Sequence, residues 1–251
     1  MKVIYSVAVI VVVMALLALG VPAYASKLDD RIESTANNSY VFKTYLKGDT
    51  VKVQSTDGVV SLTGTVSEES HKQLAENTVM YLPGVKSVDN RLEVKGARPA
   101  EKSDAWLTSK VKTALLFHKS VSAMTEVSTK DGIVTLKGDV SSQAQKDLTA
   151  AYAKDVEGVK DVKNEMVISK TSKKTTQTMG GKIDDASITA LVKMTLLYHR
   201  STSAISTSVA TKRGVVTLTG KAKNTAEKDL ATKYVTDVKG VKSVKNRMTT
   251  G

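Results

Sequence analysis

Three histidines are the side chains of this sequence best suited to acid–base chemistry near neutral pH or to imidazole–metal binding, and the chain has no cysteine. His118 and His199 follow Phe117 and Tyr198 in matching segments, whereas His71 has no counterpart. Two interpretations fit the matching pairs. Either the aromatic residue closes a core and the histidine complements a helix C-terminus, or the aromatic and cationic side chains lie together at a membrane interface.

No other combination of residues predicts catalysis. The sequence contains no serine–histidine–aspartate order, no zincin helix, no metal-spaced cluster and no isolated pair of acids in an apolar setting. Its carboxylates are scattered among lysines on predicted helix faces, where solvated pairing accounts for them. We therefore predict a non-enzymatic protein with no metal site, no cofactor and no small-molecule substrate.

Basic residues are concentrated in the last third of the chain. Residues 183–251 contain 12 basic and 5 acidic side chains, a net charge of +7, and residues 170–182 add +4. Residues 28–96 and 101–169 carry −2 and 0. A basic surface of this kind suits an anionic partner. The candidate lipid-binding residues are Arg200, Lys212, Arg213, Lys221, Lys223, Lys242, Lys245 and Arg247, together with Tyr198 and His199.

The elements that must position these residues occur as three near copies of one unit. Each copy contains an eight-residue pattern that begins Asp-Gly or Arg-Gly and ends in a second glycine, over 57–64, 131–138 and 213–220. Another glycine follows 20 residues later, at Gly84, Gly158 and Gly240. The first glycines should lie in hairpin turns and the second at a bulge or close backbone approach, so we assign structural roles to Gly58, Gly64, Gly132, Gly138, Gly214 and Gly220.

Each copy has the order helix, strand, strand, helix, strand. In the third copy, Ile188, Val192 and Leu196 form the apolar stripe of the first helix. The pattern predicts an α+β protein of three tandem αββαβ modules, each with a small three-stranded mixed sheet and two helices on one face. The other face should be polar, and in the third copy it should carry Lys245 and Arg247.

The module boundaries follow from the repeat. We place module 1 at 28–96, module 2 at 102–169 and module 3 at 183–251, with a Lys/Ser/Thr-rich linker over 170–182. We expect each module to fold on its own, and the linker to let module 3 reorient relative to the other two.

The repeated residues resemble a known family. The Asp-Gly-x-Val-x-Leu-x-Gly hairpin, the helix after it and the closing Gly-Val-x-x-Val-x-Asn are similar to a BON domain, a module of osmotically inducible periplasmic proteins and related envelope proteins. The resemblance implies an αββαβ fold, a periplasmic location, a role in osmotic or envelope stress and attachment to anionic phospholipid surfaces. Proteins of this kind with two modules are familiar, so the third module is a departure.

The N-terminal residues predict export. Lys2 precedes a nearly continuous apolar run from Val3 to Gly20, and Ala23-Tyr24-Ala25 offers the small residues that an export peptidase reads. We predict a signal peptide over 1–25, cleaved before Ser26, and a periplasmic protein. The alternative is an uncleaved inner-membrane anchor, because the run approaches the length needed to span a bilayer.

The basic composition and the predicted export together indicate which classes of partner to expect. An anionic phospholipid surface bound by module 3 and its linker comes first, since several basic residues near such a surface give reversible binding. A protein-interaction or chaperone-like role, in which exposed sheet faces and edges receive envelope proteins, is the alternative. Nucleic acid is not expected as a partner. Export argues against it, and aromatic side chains that could stack on bases are scarce.

Overall fold

A computed structural model of the protein describes residues 22–96, 99–122, 124–169, 182–202 and 206–251. Within those ranges, no helix is both long and apolar enough to cross a bilayer. Residues 1–21 of the predicted signal peptide lie outside the described ranges, and residues 22–25 begin the first described helix.

The three modules confirm the predicted α+β fold. Module 1 contains α1 (Pro22–Asn38), α2 (Tyr40–Thr44), β1 (Thr50–Thr56), β2 (Val59–Val66), α3 (Glu69–Met80) and β3 (Ser87–Val94). Module 2 contains α4 (Asp104–Leu116), β4 (Glu126–Lys130), β5 (Ile133–Lys137), β6 (Asp139–Val140), α5 (Gln143–Asp155), β7 (Asp161–Asn164) and β8 (Val167–Ile168). Module 3 contains α6 (Asp185–Tyr198), β9 (Ser206–Lys212), β10 (Val215–Ala222), α7 (Thr225–Thr236), β11 (Ser243–Asn246) and β12 (Thr249–Thr250).

The second strand of each hairpin forms the centre of its sheet. β2 pairs antiparallel with β1 and parallel with β3, and the pairs around β5 and β10 repeat this arrangement. Val216 and Leu218 of β10 are fully buried, while Thr217 between them is only partly covered. The sheets therefore have one face on the helices and one toward solvent.

The hairpin turns have the backbone that their sequences require. Asp131 and Gly132 have φ of 54° and 80°, and the other two turns show the same pair of positive values. A carboxylate from the first helix holds each turn: Asp104 accepts hydrogen bonds from the backbone N–H groups of Asp131 (2.7 Å) and Gly132 (2.9 Å). Asp29 and Asp185 bind the equivalent turns in modules 1 and 3.

The second glycines lie where two strands approach closely. Gly64 has a φ of 114°, and a Cβ there would lie 1.9 Å from the carbonyl oxygen of Thr50. Gly138 has a φ of 121°, and a Cβ there would lie 2.6 Å from the carbonyl oxygen of Met124. No side chain fits these positions without moving the backbone.

The first helix of module 1 departs from the other two. It ends at Asn38, and a short helix, α2, begins at Tyr40. Ser39 separates them: its hydroxyl donates to the carbonyl of Ala36 (2.7 Å) and accepts from the N–H of Phe42 (3.3 Å). The first helix thus ends at the weak helix formers Asn37 and Asn38, and Ser39 caps the start of the next helix.

The modules share one continuous core, which contradicts the expectation that module 3 reorients freely. Ala190, Leu191 and Met194 of α6 lie outside the stripe that faces their own sheet, yet all three are fully buried. They are covered because α3 of module 1 packs along α6. The N–H groups of Tyr40 and Val41 also donate to Asp184 (2.8 Å) and Ser187 (3.1 Å) at the start of α6.

Candidate functional site

The solvent-facing side of the module 3 sheet carries an unbalanced set of cations. Strand pairing places Lys212 opposite Val215 and Lys245 beside Thr217, and these residues alternate with the core positions of their strands. The set, which we call the basic face, consists of Lys212, Lys221, Lys245 and Arg247, all exposed. No Asp or Glu occupies any other position on this face of β9, β10 or the final segment of the module.

The corresponding faces of the other modules are neutralised by their own carboxylates. Arg91 pairs with Asp89 at 2.5 Å in module 1, and Lys137 pairs with Glu165 at 3.4 Å in module 2. Among the described residues, no member of the basic face forms an ion pair with a carboxylate. Its charges therefore add into one positive potential, which exposed ion pairs do not produce.

Three more predicted residues lie near the basic face. Arg213 is in the hairpin turn, and the stem of Lys242 packs beside Gly214 in the same turn, with 3.1 Å between Lys242 Cγ and a Cβ built at Gly214. Lys223 follows β10, and its backbone N–H donates to Glu227 at 2.5 Å. All three side chains are exposed. They extend the positive surface beyond the two ends of β10.

Arg200 is not part of this surface. Its Nη2 donates to the carbonyl of Lys154 at 2.8 Å, and its Nε lies 3.6 Å from the Asp155 carboxylate, both in module 2. The side chain thus lies at the contact between modules 2 and 3, on the helical side of the sheet.

The structure contradicts the membrane-interface interpretation of the aromatic–histidine pairs. His118 and His199 are fully buried, Phe117 is fully buried and Tyr198 is 8% exposed. Burial also lowers the pKa of His199 to about 3, with a further contribution from His118, so His199 supplies no positive charge at neutral pH. Tyr198 and His199 therefore leave the candidate lipid-binding set, because another module covers the helix end that carries them.

The two histidines instead meet each other between modules 2 and 3. His118 Nε2 lies 3.1 Å from His199 Nε2. Tyr152 stacks on His118 at 3.8 Å between ring centroids, and Tyr234 lies 4.5 Å from His199. We call this assembly, with Asp155 and Asp237, the paired-histidine contact.

Hydrogen bonds cross the paired-histidine contact reciprocally. The hydroxyl of Tyr152 in module 2 donates to Asp237 in module 3 (3.0 Å), and that of Tyr234 in module 3 donates to Asp155 in module 2 (2.8 Å). Ser120 and Ser201 donate to the same two carboxylates. Sequence patterns contained a signal for this site: the histidine, tyrosine and aspartate recur in modules 2 and 3, whereas module 1 has Lys43, Thr78 and Tyr81 in their places.

Metal binding is not suggested by the arrangement of side chains. In the part of the chain that the structure describes, no group of three or more His, Asp or Glu residues is placed to hold a metal ion.

Comparisons with known proteins agree with the repeat. The family model of the BON domain matches residues 28–96, 103–170 and 184–251. The osmotically-inducible protein Y of Escherichia coli (strain K12) is 35% identical over 143 residues, which cover 55% of this chain and 71% of that protein.

Two solved structures of CdsD, a structural protein of the type III secretion system of Chlamydia trachomatis, are also similar. Its C-terminal domain is 17% identical with a TM-score of 0.24, covering 84% of this chain and 95% of that one. The second structure is 18% identical with a TM-score of 0.23, covering 86% and 88%. Similarity at this level carries no argument about the present protein. The three family matches span most of the sequence, and the chain therefore belongs to the BON domain family.

Proposed function

We propose that the protein is an exported, non-enzymatic envelope protein that binds anionic phospholipid surfaces through the basic face of module 3 during osmotic stress. The observation that carries the binding proposal is the basic face itself, with four exposed cations and no carboxylate on the same side of the sheet. The same side of modules 1 and 2 contains carboxylates that pair with its cations.

Cations spread over an open sheet face suit a lipid surface better than a compact ligand. Lys212, Lys221 and Lys245 lie on three different strands, and Arg247 follows the third, so the four cations are spread over the sheet face. Each Lys or Arg near an anionic bilayer contributes about 1 kcal/mol, and the effect decays within a Debye length. Four such residues together supply about 4 kcal/mol, enough for reversible binding.

Location and context have separate support. The apolar run behind Lys2 and the Ala23-Tyr24-Ala25 site favour export with cleavage before Ser26. The name of the relative from Escherichia coli, osmotically-inducible protein Y, supports a role in osmotic stress.

Vesicle flotation with the full mature chain tests the proposal. We expect binding to vesicles of phosphatidylethanolamine and phosphatidylglycerol, no binding to phosphatidylcholine alone, and weaker binding as salt rises. Competition with inorganic phosphate separates recognition of a phosphate group from attraction to a charged surface, and we expect it to act no more strongly than an equal ionic strength of chloride. Equal binding to both kinds of vesicle would contradict the proposal.

Full-length variants are preferable to removal of module 3 in these experiments. Because α6 is buried against α3, a chain that ends at Ser169 would expose apolar surface of module 1. Such a surface could adhere to vesicles by itself and hide the loss of the basic face.

A protein-interaction role is the second candidate, and one observation favours it. Val167 and Ile168 of the short strand β8 are 63% and 48% exposed, and among the described strands β8 pairs with β6 alone. An exposed apolar edge of this kind accepts a partner strand. Binding of an envelope protein that is lost on Val167→Lys, with flotation unchanged, would favour this role.

A further inference from the structure

The paired-histidine contact brings two ring nitrogens so close together that they cannot both carry a hydrogen toward each other. With 3.1 Å between His118 Nε2 and His199 Nε2, one hydrogen fits between the two nitrogens. Protonation of both rings would place two N–H groups and two positive charges face to face in a site from which water is excluded. We propose that the contact between modules 2 and 3 is acid-sensitive and opens when its two histidines are protonated.

The carboxylates around the contact offset only part of the cost of charging the histidines, because burial lowers the pKa of both rings despite the nearby Asp237 and Asp155. His118 Nδ1 lies 3.3 Å from Asp237, which acts to raise the pKa of that ring, and His199 Nδ1 lies 3.6 Å from Asp155. Each carboxylate already accepts from a tyrosine and a serine of the contact.

Other charged groups around the histidines oppose protonation or are already paired. Lys239 acts to lower the pKa of His118, and Arg200 lies beside Asp155. Burial raises the pKa of both tyrosines, so their hydroxyls remain donors. The titratable and charged groups that face the two rings are Tyr152 and Asp155 on α5, Arg200 after α6, and Tyr234, Asp237 and Lys239 on or after α7.

The direction of the pH effect follows from these surroundings. Burial lowers the pKa of both histidines in the closed contact, although Asp237 acts in the opposite sense on His118. An exposed histidine titrates near about 6.5, so each ring binds a proton more tightly when the contact is open. The contact is therefore favoured above about pH 6.5 and weakens as the pH falls.

Backbone hydrogen bonds between modules 2 and 3 report directly on this contact. The N–H of Lys119 donates to the carbonyl of Asp237 (2.8 Å), and that of Lys239 donates to Phe117 (3.0 Å). The N–H of Arg200 donates to the backbone carbonyl of Asp155 (2.8 Å). Opening exposes all three amides, while the packing of α6 on α3 involves neither histidine.

Amide hydrogen exchange followed by NMR tests the proposal on the full mature chain. Between pH 6.5 and 5.5, the protection factors of the Lys119, Lys239 and Arg200 amides should fall about fivefold if one histidine takes up a proton on opening, and about thirtyfold if both do. The amide of Leu136 in the core strand β5 should keep its protection over the same range. Loss of protection at all four amides together would show global unfolding and overturn the proposal.

Variants assign the effect to the two histidines. His118→Gln with His199→Gln should abolish the pH dependence at the reporter amides, and His71→Gln in module 1 should leave it unchanged. If the double variant fails to fold, the imidazole titration of the wild type decides: His118 and His199 should remain neutral at pH 6 in the closed contact. Titration of both near 6.5 with unchanged amide protection would overturn the proposal. None of these readouts involves lipid, so the outcome is independent of the proposed membrane binding.

Discussion

Reversal of two charges on the basic face gives the most direct test of its role. Lys245 and Arg247 are exposed, and neither forms an ion pair with a carboxylate in the described part of the chain. Changing both to Gln removes about 2 kcal/mol of attraction, at about 1 kcal/mol each, and should weaken vesicle partitioning about 30-fold. Changing both to Glu adds repulsion of similar size, so the loss should approach about a thousandfold.

The matched control uses module 2. Lys130 and Lys163 occupy the positions of Lys212 and Lys245 in a sheet face that is already neutralised, so Lys130→Glu with Lys163→Glu makes the same change in net charge. Flotation at low and high salt measures partitioning, and thermal melts should show both variants within about 0.5 kcal/mol of wild type. Similar losses in the two variants would mean that only total charge matters, and the reasoning from the basic face would be refuted.

The remaining predictions concern folding and processing. Gly132→Val should lower the melting temperature by circular dichroism, because a β-branched residue opposes the φ of 80° there; an unchanged melt would contradict the turn assignment. Asp104→Ala should cost about 1–3 kcal/mol in denaturant unfolding, because two turn amides lose their acceptor, whereas Asp147→Ala on the exposed side of α5 should cost far less. Asn164→Ala should cost about 1–2 kcal/mol, because its amide joins β7 to the carbonyl of Lys146 on α5 (2.8 Å). Intact-mass measurement of the exported protein should show Ser26 as its first residue, and a chain that retains Met1 would exclude cleavage.

The paired-histidine contact explains why three similar modules are not interchangeable. Modules 2 and 3 meet through the same three residue types contributed from both sides, whereas module 1 has Lys43, Thr78 and Tyr81 in those places. Module 1 instead contacts α6 through α3, where Lys193 lies over the ring of Tyr81 at 4.3 Å. Module 3 therefore contacts module 1 and module 2 through different chemistry.

Local sequence patterns determine the modules themselves. The Asp-Gly and Arg-Gly turns and the glycines at close strand approaches depend on backbone sterics. The alternation along β10 depends on the two-residue repeat of side-chain direction in a strand. Both are local properties of the chain. For this reason the fold, the strand pairing within each hairpin and the exposure of Lys245 and Arg247 could be predicted from the amino-acid sequence alone.

Only the tertiary structure decided what lies on the other sides of the helices. The pattern of α6 identifies the stripe that faces its own sheet, but it does not identify α3 as the element that buries Ala190, Leu191 and Met194. His118 and His199 show the same limit. A histidine at a helix end is a surface cation or a buried neutral ring depending on what packs against it, and that packing joins residues 81 positions apart in the chain.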